Sequence, residues 1–163
     1  MKILIVHRYF WPDQANCGQI LWHVAQHFQI KGHHVDVLTS LPSRNYNSNK
    51  IQAKKIETAK QVNITRINLS SETGRPLVRI FNALKLGIMT NYLALQNKYD
   101  VIISSTVPPV LGGFFASIAA LITKSRFYYF CMDLYPEVGK ISGDFSNPIL
   151  FKLLEKIDNW NCK

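Results

Sequence analysis

The sequence has few acidic residues and few cysteines, and each shortage limits what the chain can be. It holds 10 Asp and Glu against 19 Lys and Arg, so its formal net charge is +9 at pH 7. Such a charge attracts anions, among them nucleic acid, phosphorylated substrates and anionic lipid head groups, and by itself selects none of them. Three cysteines, distant in sequence and without a CxxC pair, predict neither a disulfide scaffold nor a structural zinc site.

Long apolar runs are also missing. The first one, within residues 2–7, has only four consecutive apolar residues, too few for a signal peptide. The longest, residues 110–123, contains 14 residues without a charge, short of the roughly 20 that span a bilayer. We therefore expect a buried helix there and a cytoplasmic protein.

Most signatures of cofactor and nucleic-acid binding are absent. No GxGxxG loop follows the first apolar run and no GK[ST] triplet occurs, which disfavours a nicotinamide cofactor and a P-loop. His23 and His27 have metal-ligand spacing on a helix, yet no Glu lies between them and no third ligand is apparent. No zinc finger, helix-turn-helix or RNP-like motif occurs. The sequence thus predicts no metal site, no cofactor and no nucleic-acid partner.

Apolar periodicity predicts an alternating chain of strands and helices. Strands are predicted at residues 2–7, 33–39, 62–69, 100–105 and 126–132, and helices at 18–31, 75–97, 108–123 and 148–160. Residues 40–60 are predicted to be a long, mobile, basic loop, and residues 62–69 an edge strand. This order predicts a single α/β domain over residues 1–163, a Rossmann-like, mostly parallel sheet with helices on both faces.

Ligands of such sheets bind outside the carboxyl ends of the strands. That rule selects the segments 8–18, 40–44, 106–112 and 133–139. The helix start at Gly18 offers free N–H groups that suit a phosphate. Asp133, predicted at the tip of a strand, is a candidate for contact with a substrate hydroxyl, and capping of the local loop is the alternative.

The predicted helix at 75–97 combines an apolar stripe with basic residues. The stripe consists of Leu77, Ile80, Phe81, Leu84, Ile88, Tyr92 and Leu95. Arg75, Arg79 and Lys85 accompany apolar side chains that we expect to be exposed, namely Leu86, Ile88 and Met89. Two interpretations stay open: a core helix with a solvated basic face, or a helix that contacts an anionic membrane surface.

An ordered set of motifs resembles the N-terminal domain of glycosyltransferase family 4, which has the GT-B fold. The motifs are YFWPD at residues 9–13, Gly18 at a helix start, KGHHVDVLTSLP at 31–42, YDVIISSTVPP at 99–109 and DLYPE at 133–137. They span nearly the whole chain in the order that the family shows. The nearest subgroup builds bacterial O-antigen, capsule or exopolysaccharide.

The resemblance implies retaining sugar transfer from a nucleotide-sugar donor to a sugar or polyprenyl-linked acceptor, with no required metal or cofactor. Donor phosphates would approach Asn16, Cys17 and Gly18, where Cys17 stands in place of a second glycine common in relatives. Asp133 would contact the reacting sugar as the catalytic candidate. The acceptor-side candidates are Tyr9, Asp13 and Glu137.

The resemblance also implies a second, donor-binding domain, for which residues 1–163 contain no matching motif. We expect a fragment of a longer transferase, and a split enzyme or a stand-alone remnant are the alternatives. Alone, the chain should be inactive or nearly so, because cations of the second domain would stabilise the leaving phosphate. The rival function is a non-catalytic module or subunit that docks a partner transferase or an anionic membrane, peripherally on the inner face of the cytoplasmic membrane.

Overall fold

Strands and helices alternate along the chain as the apolar pattern predicts. The computed structural model describes residues 1–43, 53–72, 75–141 and 148–162. Its elements are β1 (Lys2–Val6), α1 (Asn16–Ile30), β2 (His34–Ser40), β3 (Ile56–Ala59), β4 (Val62–Ile67), α2 (Pro76–Asn97), β5 (Val101–Ser105), α3 (Leu111–Thr123), β6 (Arg126–Phe130), α4 (Glu137–Ile141) and α5 (Pro148–Asn161).

The strands form one sheet in the order β3-β4-β2-β1-β5-β6. β3 runs antiparallel to β4, and the other neighbouring pairs are parallel. In the central register Ile5 of β1 lies between Val37 of β2 and Ile103 of β5. Helices cover both faces, so the expected Rossmann-like α/β fold is confirmed. Strand order reverses direction between β1 and β5, which makes that gap the topological switch point.

The expectation for residues 40–60 is wrong in its last part, where β3 pairs with β4. β4 is therefore an inner strand and not the predicted edge. The hairpin turn is Lys60–Gln61, with φ of +47° and +66°, and it pairs Ala59 with Val62. Two-residue turns with positive φ usually carry Asn-Gly or Asp-Gly, and this sequence has neither there. Residues 44–52 of the predicted loop lie outside the described residues.

α1 covers one face of the sheet, hereafter the α1 face. Because side chains alternate along a strand, every second residue of each strand points to it. Ile5, Val37 and Ile64 are buried there against Leu21 and Trp22 of α1. Full burial of a side chain of this size stabilises the fold by roughly 1.5–3 kcal/mol. This face of the central strands is therefore part of the hydrophobic core.

α2 and α3 cover the opposite face, hereafter the α2 face. Leu4 and Leu38 of the sheet are buried there against Leu86 of α2 and Ala116 of α3. The expectation that Leu86 is exposed is thus wrong, since Leu86 is 1% exposed. Met89, expected to be exposed as well, is partly buried against the same cluster, and Ile88 is exposed.

The close packing of α2 on α3 depends on a small residue. Gly87 of α2 lies against the ring of Phe115 in α3, so closely that a Cβ at this position would collide with the ring. α2 is held to the layer by this contact and by Asn91, whose Nδ2 donates to the carbonyl of Phe115 at 3.1 Å. The side of α2 that meets the core is therefore narrow and made partly of small residues.

The other side of α2 exposes the seven apolar residues predicted as its stripe. We call them the apolar stripe: Leu77, Ile80, Phe81, Leu84, Ile88, Tyr92 and Leu95. Their side chains are between 37% and 69% exposed. The stripe is thus turned away from the core of this chain.

Candidate functional site

The carboxyl edge of the sheet carries the segments that sequence reasoning selected. The loops after β1, β2, β5 and β6 lie at this edge because their strands are parallel. Crevices at a topological switch point are the usual ligand sites of such sheets. The gap between β1 and β5 is therefore where a ligand is expected, and the residues around it define the candidate site.

The loop that follows β1 is fixed by hydrogen bonds from neighbouring strands. The hydroxyls of Thr39 and Ser40, at the end of β2, donate to the carbonyl of Arg8 at 2.9 and 2.7 Å. Nη2 of Arg66 in β4 donates to the carbonyl of Trp11 at 2.8 Å. Because several backbone carbonyls of this loop accept hydrogen bonds, the positions of its side chains are fixed relative to the sheet.

Two of the acceptor-side candidates lie in this loop. Asp13 is 2% exposed, and its carboxylate accepts a hydrogen bond from the backbone N–H of Ser43 at 2.9 Å. It thereby joins the loop after β1 to the loop after β2. Tyr9 is half-buried, with its ring 6.5 Å from that of His7 and 5.1 Å from the guanidinium of Arg8. The roles of Asp13 and Tyr9 in acceptor binding stay predictions.

The first turn of α1 points its backbone N–H groups towards the same edge. The N-cap residue Ala15 makes no side-chain hydrogen bond, and the first turn contains no acidic residue. The first intrahelical bond runs from the N–H of Gln19 to the carbonyl of Ala15 at 3.0 Å. The N–H groups of residues 16–18 precede it, and such groups at a helix start favour an anion.

Gly18 is required by the packing of this turn. A Cβ at residue 18 would collide with the carbonyl oxygen of Tyr9. The glycine therefore lets the loop after β1 close on the start of α1. Its expected approach to donor phosphates, like that of Asn16, stays a prediction.

The structure brings two separately predicted residues within range of an electrostatic interaction. Cys17 in the first turn of α1 and Asp133 after β6 are 116 positions apart in sequence, from 133 − 17. Burial and, to a smaller extent, the negative charge of Asp133 raise the pKa of the Cys17 thiol to about 11. A thiol with a raised pKa is protonated at neutral pH and is a poor nucleophile.

The segment after β6 is exposed and turns sharply. The backbone carbonyl of Asp133 accepts bonds from the N–H of Tyr135 at 3.1 Å and from the thiol of Cys131 at 3.4 Å. The side chain of Asp133 itself is exposed. Glu137 begins the short helix α4 and is also exposed. Its position in a first helical turn suits a negative charge, and its part in acceptor binding stays a prediction.

The sequence places His7 at the end of the first strand, near the ligand edge, and does not predict its partner at the switch point. His7 directly follows β1 and Ser105 ends β5, and His7 Nδ1 is hydrogen-bonded to the hydroxyl of Ser105. The side chain of His7 is 1% exposed and that of Ser105 is 0% exposed. Burial lowers the pKa of His7 from 6.5 to about 4, so the ring is neutral at pH 7. Hydroxyl residues directly after the apolar run of a strand are the signal that could have found it.

Two buried cations reduce the basic surface that the composition suggests. Arg8 is 4% exposed and forms an ion pair with Glu72, and Arg66 is 3% exposed and pairs with Glu57. Nη2 of Arg8 also donates to the carbonyl of Ser70 at 3.2 Å. These arginines brace the loops at the carboxyl edge. The positive charge available to an external anion therefore comes from other residues.

The third predicted set lies on α2. Arg75 is its N-cap residue, and Arg79 and Lys85 follow in its first half. All three side chains are exposed and accompany the apolar stripe. The N–H of Arg75 donates to the carbonyl of Glu72 at 3.0 Å, and Glu72 pairs with Arg8 in the loop after β1, so α2 starts at the carboxyl edge.

No cation site emerges from the acidic, Cys and His side chains of the described ranges. Among these residues no group of three or more His, Cys, Asp or Glu could hold a metal ion. His23 and His27 are exposed on α1. In the same ranges no helix is both long and apolar enough to cross a membrane.

Comparisons with known proteins add support for the fold. No protein-family model and no curated protein matches the chain. The C-terminal domain of a hydrogenase from Pyrococcus furiosus is similar in structure, with a TM-score of 0.51. Sequence identity is 13%, and the match covers 79% of this chain and 89% of that domain. At this identity the similarity concerns the fold alone.

Proposed function

We propose that the chain is the acceptor-side part of a retaining, nucleotide-sugar-dependent glycosyltransferase that acts in cell-surface polysaccharide or lipid-linked oligosaccharide synthesis. The ordered motifs that resemble glycosyltransferase family 4 support the proposal. The supporting structural observation is that the negative charge of Asp133 acts on the thiol of Cys17, so the two motif residues lie on the same edge of the sheet. A ligand at this edge would have a helix start and a carboxylate within reach.

These two groups suit different parts of a glycosyl ligand. The N–H groups at the start of α1 favour the negative charge of a phosphate. The exposed carboxylate of Asp133 accepts hydrogen bonds, which suits sugar hydroxyls and repels phosphate. The proposal therefore orients a sugar phosphate with its hydroxyls towards Asp133 and its phosphate towards residues 16–18.

A complete reaction needs more than these residues supply. The developing charge on a leaving diphosphate requires preorganised cations or N–H donors on its far side. Under the proposal that role belongs to a second, donor-binding domain or a separate subunit. The chain alone would bind an acceptor and transfer no sugar.

The proposal is tested by ligand titration followed by NMR. The ligands are a panel of nucleotide sugars and a short-chain polyprenyl-diphosphate sugar as a soluble acceptor analogue. We expect saturable binding of the nucleotide sugars with shifts at residues 16–18 and near Asp133, and of the acceptor analogue with shifts at Tyr9, Asp13 and Glu137. Asp133→Asn should weaken binding of the nucleotide sugars about tenfold, because an amide oxygen accepts a weaker hydrogen bond than a carboxylate.

Glu155→Gln is the matched control, because Glu155 is exposed on α5 and outside the candidate site. It removes the same charge and should leave binding unchanged. Absence of saturable binding, or equal weakening by both substitutions, would contradict the proposal. Efficient transfer by the chain alone would contradict the assignment of the donor side to another domain.

A non-catalytic binding module is the competing function. It predicts that sugar ligands leave the signals of residues 16–18 and Asp133 unperturbed while a macromolecular partner perturbs other surfaces. The titration therefore separates the two functions directly.

A further inference from the structure

The apolar stripe of α2 is the largest set of aligned exposed apolar side chains on one described helix. It runs from Leu77 to Leu95, which at 1.5 Å per residue is a length of roughly 27 Å. Phe81, Ile88 and Leu77 are each at least 66% exposed. Contiguous apolar surface of this kind marks a place where a protein contacts a partner or a membrane.

The exposed stripe does not reflect a helix turned the wrong way. The opposite side of α2 is packed, with Ala83, Leu86 and Ala94 at most 2% exposed. On that side Thr90 is also buried, and its hydroxyl is satisfied by the carbonyl of Leu86 at 2.8 Å. Rotating the stripe inwards would expose this packed side. The residues of the stripe are therefore not needed to complete the core of the chain.

The charged residues of α2 itself are of one sign. α2 and its flanking residues, 75–98, contain Arg75, Arg79, Lys85 and Lys98 and no Asp or Glu. The carboxylate of Glu72 accepts a hydrogen bond from Nδ2 of Asn82 on α2 at 2.8 Å, and it is paired with Arg8. The helix that carries the stripe therefore complements negative charge.

A cavity opens beside the stripe near the carboxyl end of β4. It has a volume of about 480 Å³, and Asn68, Ser70, Asn82 and Lys85 line it together with three members of the stripe. Nζ of Lys85 donates one hydrogen bond, to the carbonyl of Asn68 at 2.7 Å. An ammonium group has three donors. Asn82 is 5% exposed and donates to the carbonyl of Ser70 and to Glu72, so the donors open to a ligand are those of Lys85 and of the exposed Asn68 and Ser70. The cavity thus joins polar donors to apolar walls, as an amphiphile with an anionic head requires.

We propose that α2 docks the protein on a lipid bilayer that contains anionic phospholipids. The apolar stripe enters the boundary between head groups and acyl chains, with the helix parallel to the surface. Lys85 and the polar side chains of the cavity contact a lipid head group, and Arg75 adds attraction to the surface. This inference does not depend on sugar transfer.

A second copy of the chain fits the same surface less well. In a twofold pairing of α2 with α2, the basic residues of both copies would approach one another. α2 offers no acidic residue to neutralise them. Like charges facing each other oppose association, whereas an anionic bilayer relieves the repulsion.

Vesicle co-sedimentation tests the proposal. The vesicles are phosphatidylcholine alone and phosphatidylcholine with about 30% phosphatidylglycerol, each at about 0.1 M and about 0.5 M NaCl. We expect binding to the anionic vesicles at low salt and weaker binding at high salt. The double variant Phe81→Asp, Ile88→Asp should lose binding, and Tyr92→Asp with Leu95→Asp tests the other end of the stripe.

The matched controls introduce the same change in charge at exposed positions outside α2. Ile30 and Ile56 are 82% and 76% exposed and lie outside α2, so Ile30→Asp with Ile56→Asp should keep binding. Arg75→Glu with Lys85→Glu should weaken binding to anionic vesicles about thirtyfold or more, because two positive charges are removed and two negative charges are added. Lys31→Glu with Lys55→Glu, which lowers the net charge equally, should weaken it far less.

Three outcomes would overturn the proposal. The first is no binding of the wild-type chain to anionic vesicles. The second is equal loss of binding in the α2 variants and their matched controls. The third is a dimer in sedimentation equilibrium that the α2 variants dissolve, which would assign the stripe to a second copy. Thermal unfolding of every variant verifies that it is folded.

Discussion

The two faces of the sheet use their helices in opposite ways. On the α1 face, Leu21 and Trp22 of α1 are at most 8% exposed and pack on the strands. On the α2 face, α2 packs through small and medium-sized residues and exposes its apolar stripe. The large apolar residues of α1 therefore pack into the core. α2 packs into the core with one side and exposes the apolar stripe to solvent on the other.

The candidate functional residues are also divided between the two faces of the sheet. His7 and Ser105 continue the alternation of Ile5 and Ile103, which belong to the core of the α1 face. The start of α1 lies at the same edge of the sheet. The α1 face thus holds the candidate ligand site, and the α2 face holds the candidate docking surface.

The largest expected effect on stability is the difference between replacing a buried and an exposed aromatic residue. Trp22→Ala should lower the free energy of unfolding by about 3–5 kcal/mol, because Trp22 stacks on Trp11 at 5.1 Å and its removal leaves a cavity. Phe81→Ala should change it by no more than about 0.5 kcal/mol, because Phe81 is 69% exposed. Urea unfolding of both variants measures the difference. Similar losses in the two variants would contradict the contrast between α1 and α2.

The second effect concerns pH and the α1 face. The native state keeps His7 neutral down to a pKa of about 4, while the unfolded chain protonates it near 6.5. Between these values the unfolded state binds more protons, so stability falls as the pH falls, by up to about 3 kcal/mol. Below about pH 4 the contribution of His7 to this loss levels off. Urea unfolding at several pH values measures the slope.

Substitution isolates the contribution of His7 from that of the carboxylates. In His7→Gln the pH dependence between pH 6.5 and 4 should be smaller than in the wild type by about the same amount. His23→Gln, at an exposed position on α1, should keep the wild-type slope. An unchanged slope in His7→Gln would show that His7 titrates without the effect of burial.

The third effect tests the contact between α2 and α3. Gly87→Ala places a methyl group against the ring of Phe115, and we expect a loss of about 1–3 kcal/mol from overpacking. The double variant with Phe115→Leu should recover part of that loss, because the smaller side chain leaves room. Thermal unfolding of the single and double variants measures this coupling. Additive losses would contradict a direct contact at this point.

The smallest effect tests the end of α1. Gly32 has φ of +79° and open space where a Cβ would lie, so strain rather than collision opposes a side chain there. Gly32→Ala should lower stability by about 1 kcal/mol, and Gly32→Asn by less, because Asn tolerates this backbone region better. A stabilised Gly32→Ala variant would contradict the left-handed geometry. Urea unfolding again gives the comparison.

Apolar periodicity predicts the secondary structure correctly where the apolar residues of a segment are also the buried ones. The continuous apolar run of β1 predicts a strand buried on both faces, and the spacing of Leu21 and Ala25 predicts the inner side of α1. The pattern failed for β3, whose hairpin turn lacks the usual residues, and for Leu86, which shares a helix with a more apolar stripe. In α2 the side with the larger apolar residues faces outwards, so hydrophobicity alone points to the wrong side.

The sequence by itself determined the α/β class, the parallel order of the central strands and the loops in which a ligand site could lie. These follow from local periodicity and from the rule that ligands occupy the carboxyl edge. Only the tertiary structure decided that Cys17 and Asp133 interact electrostatically, that His7 pairs with Ser105 and that α2 turns its stripe outwards. Each of these depends on how separate elements pack, and packing is a non-local property that spacing along the chain does not contain.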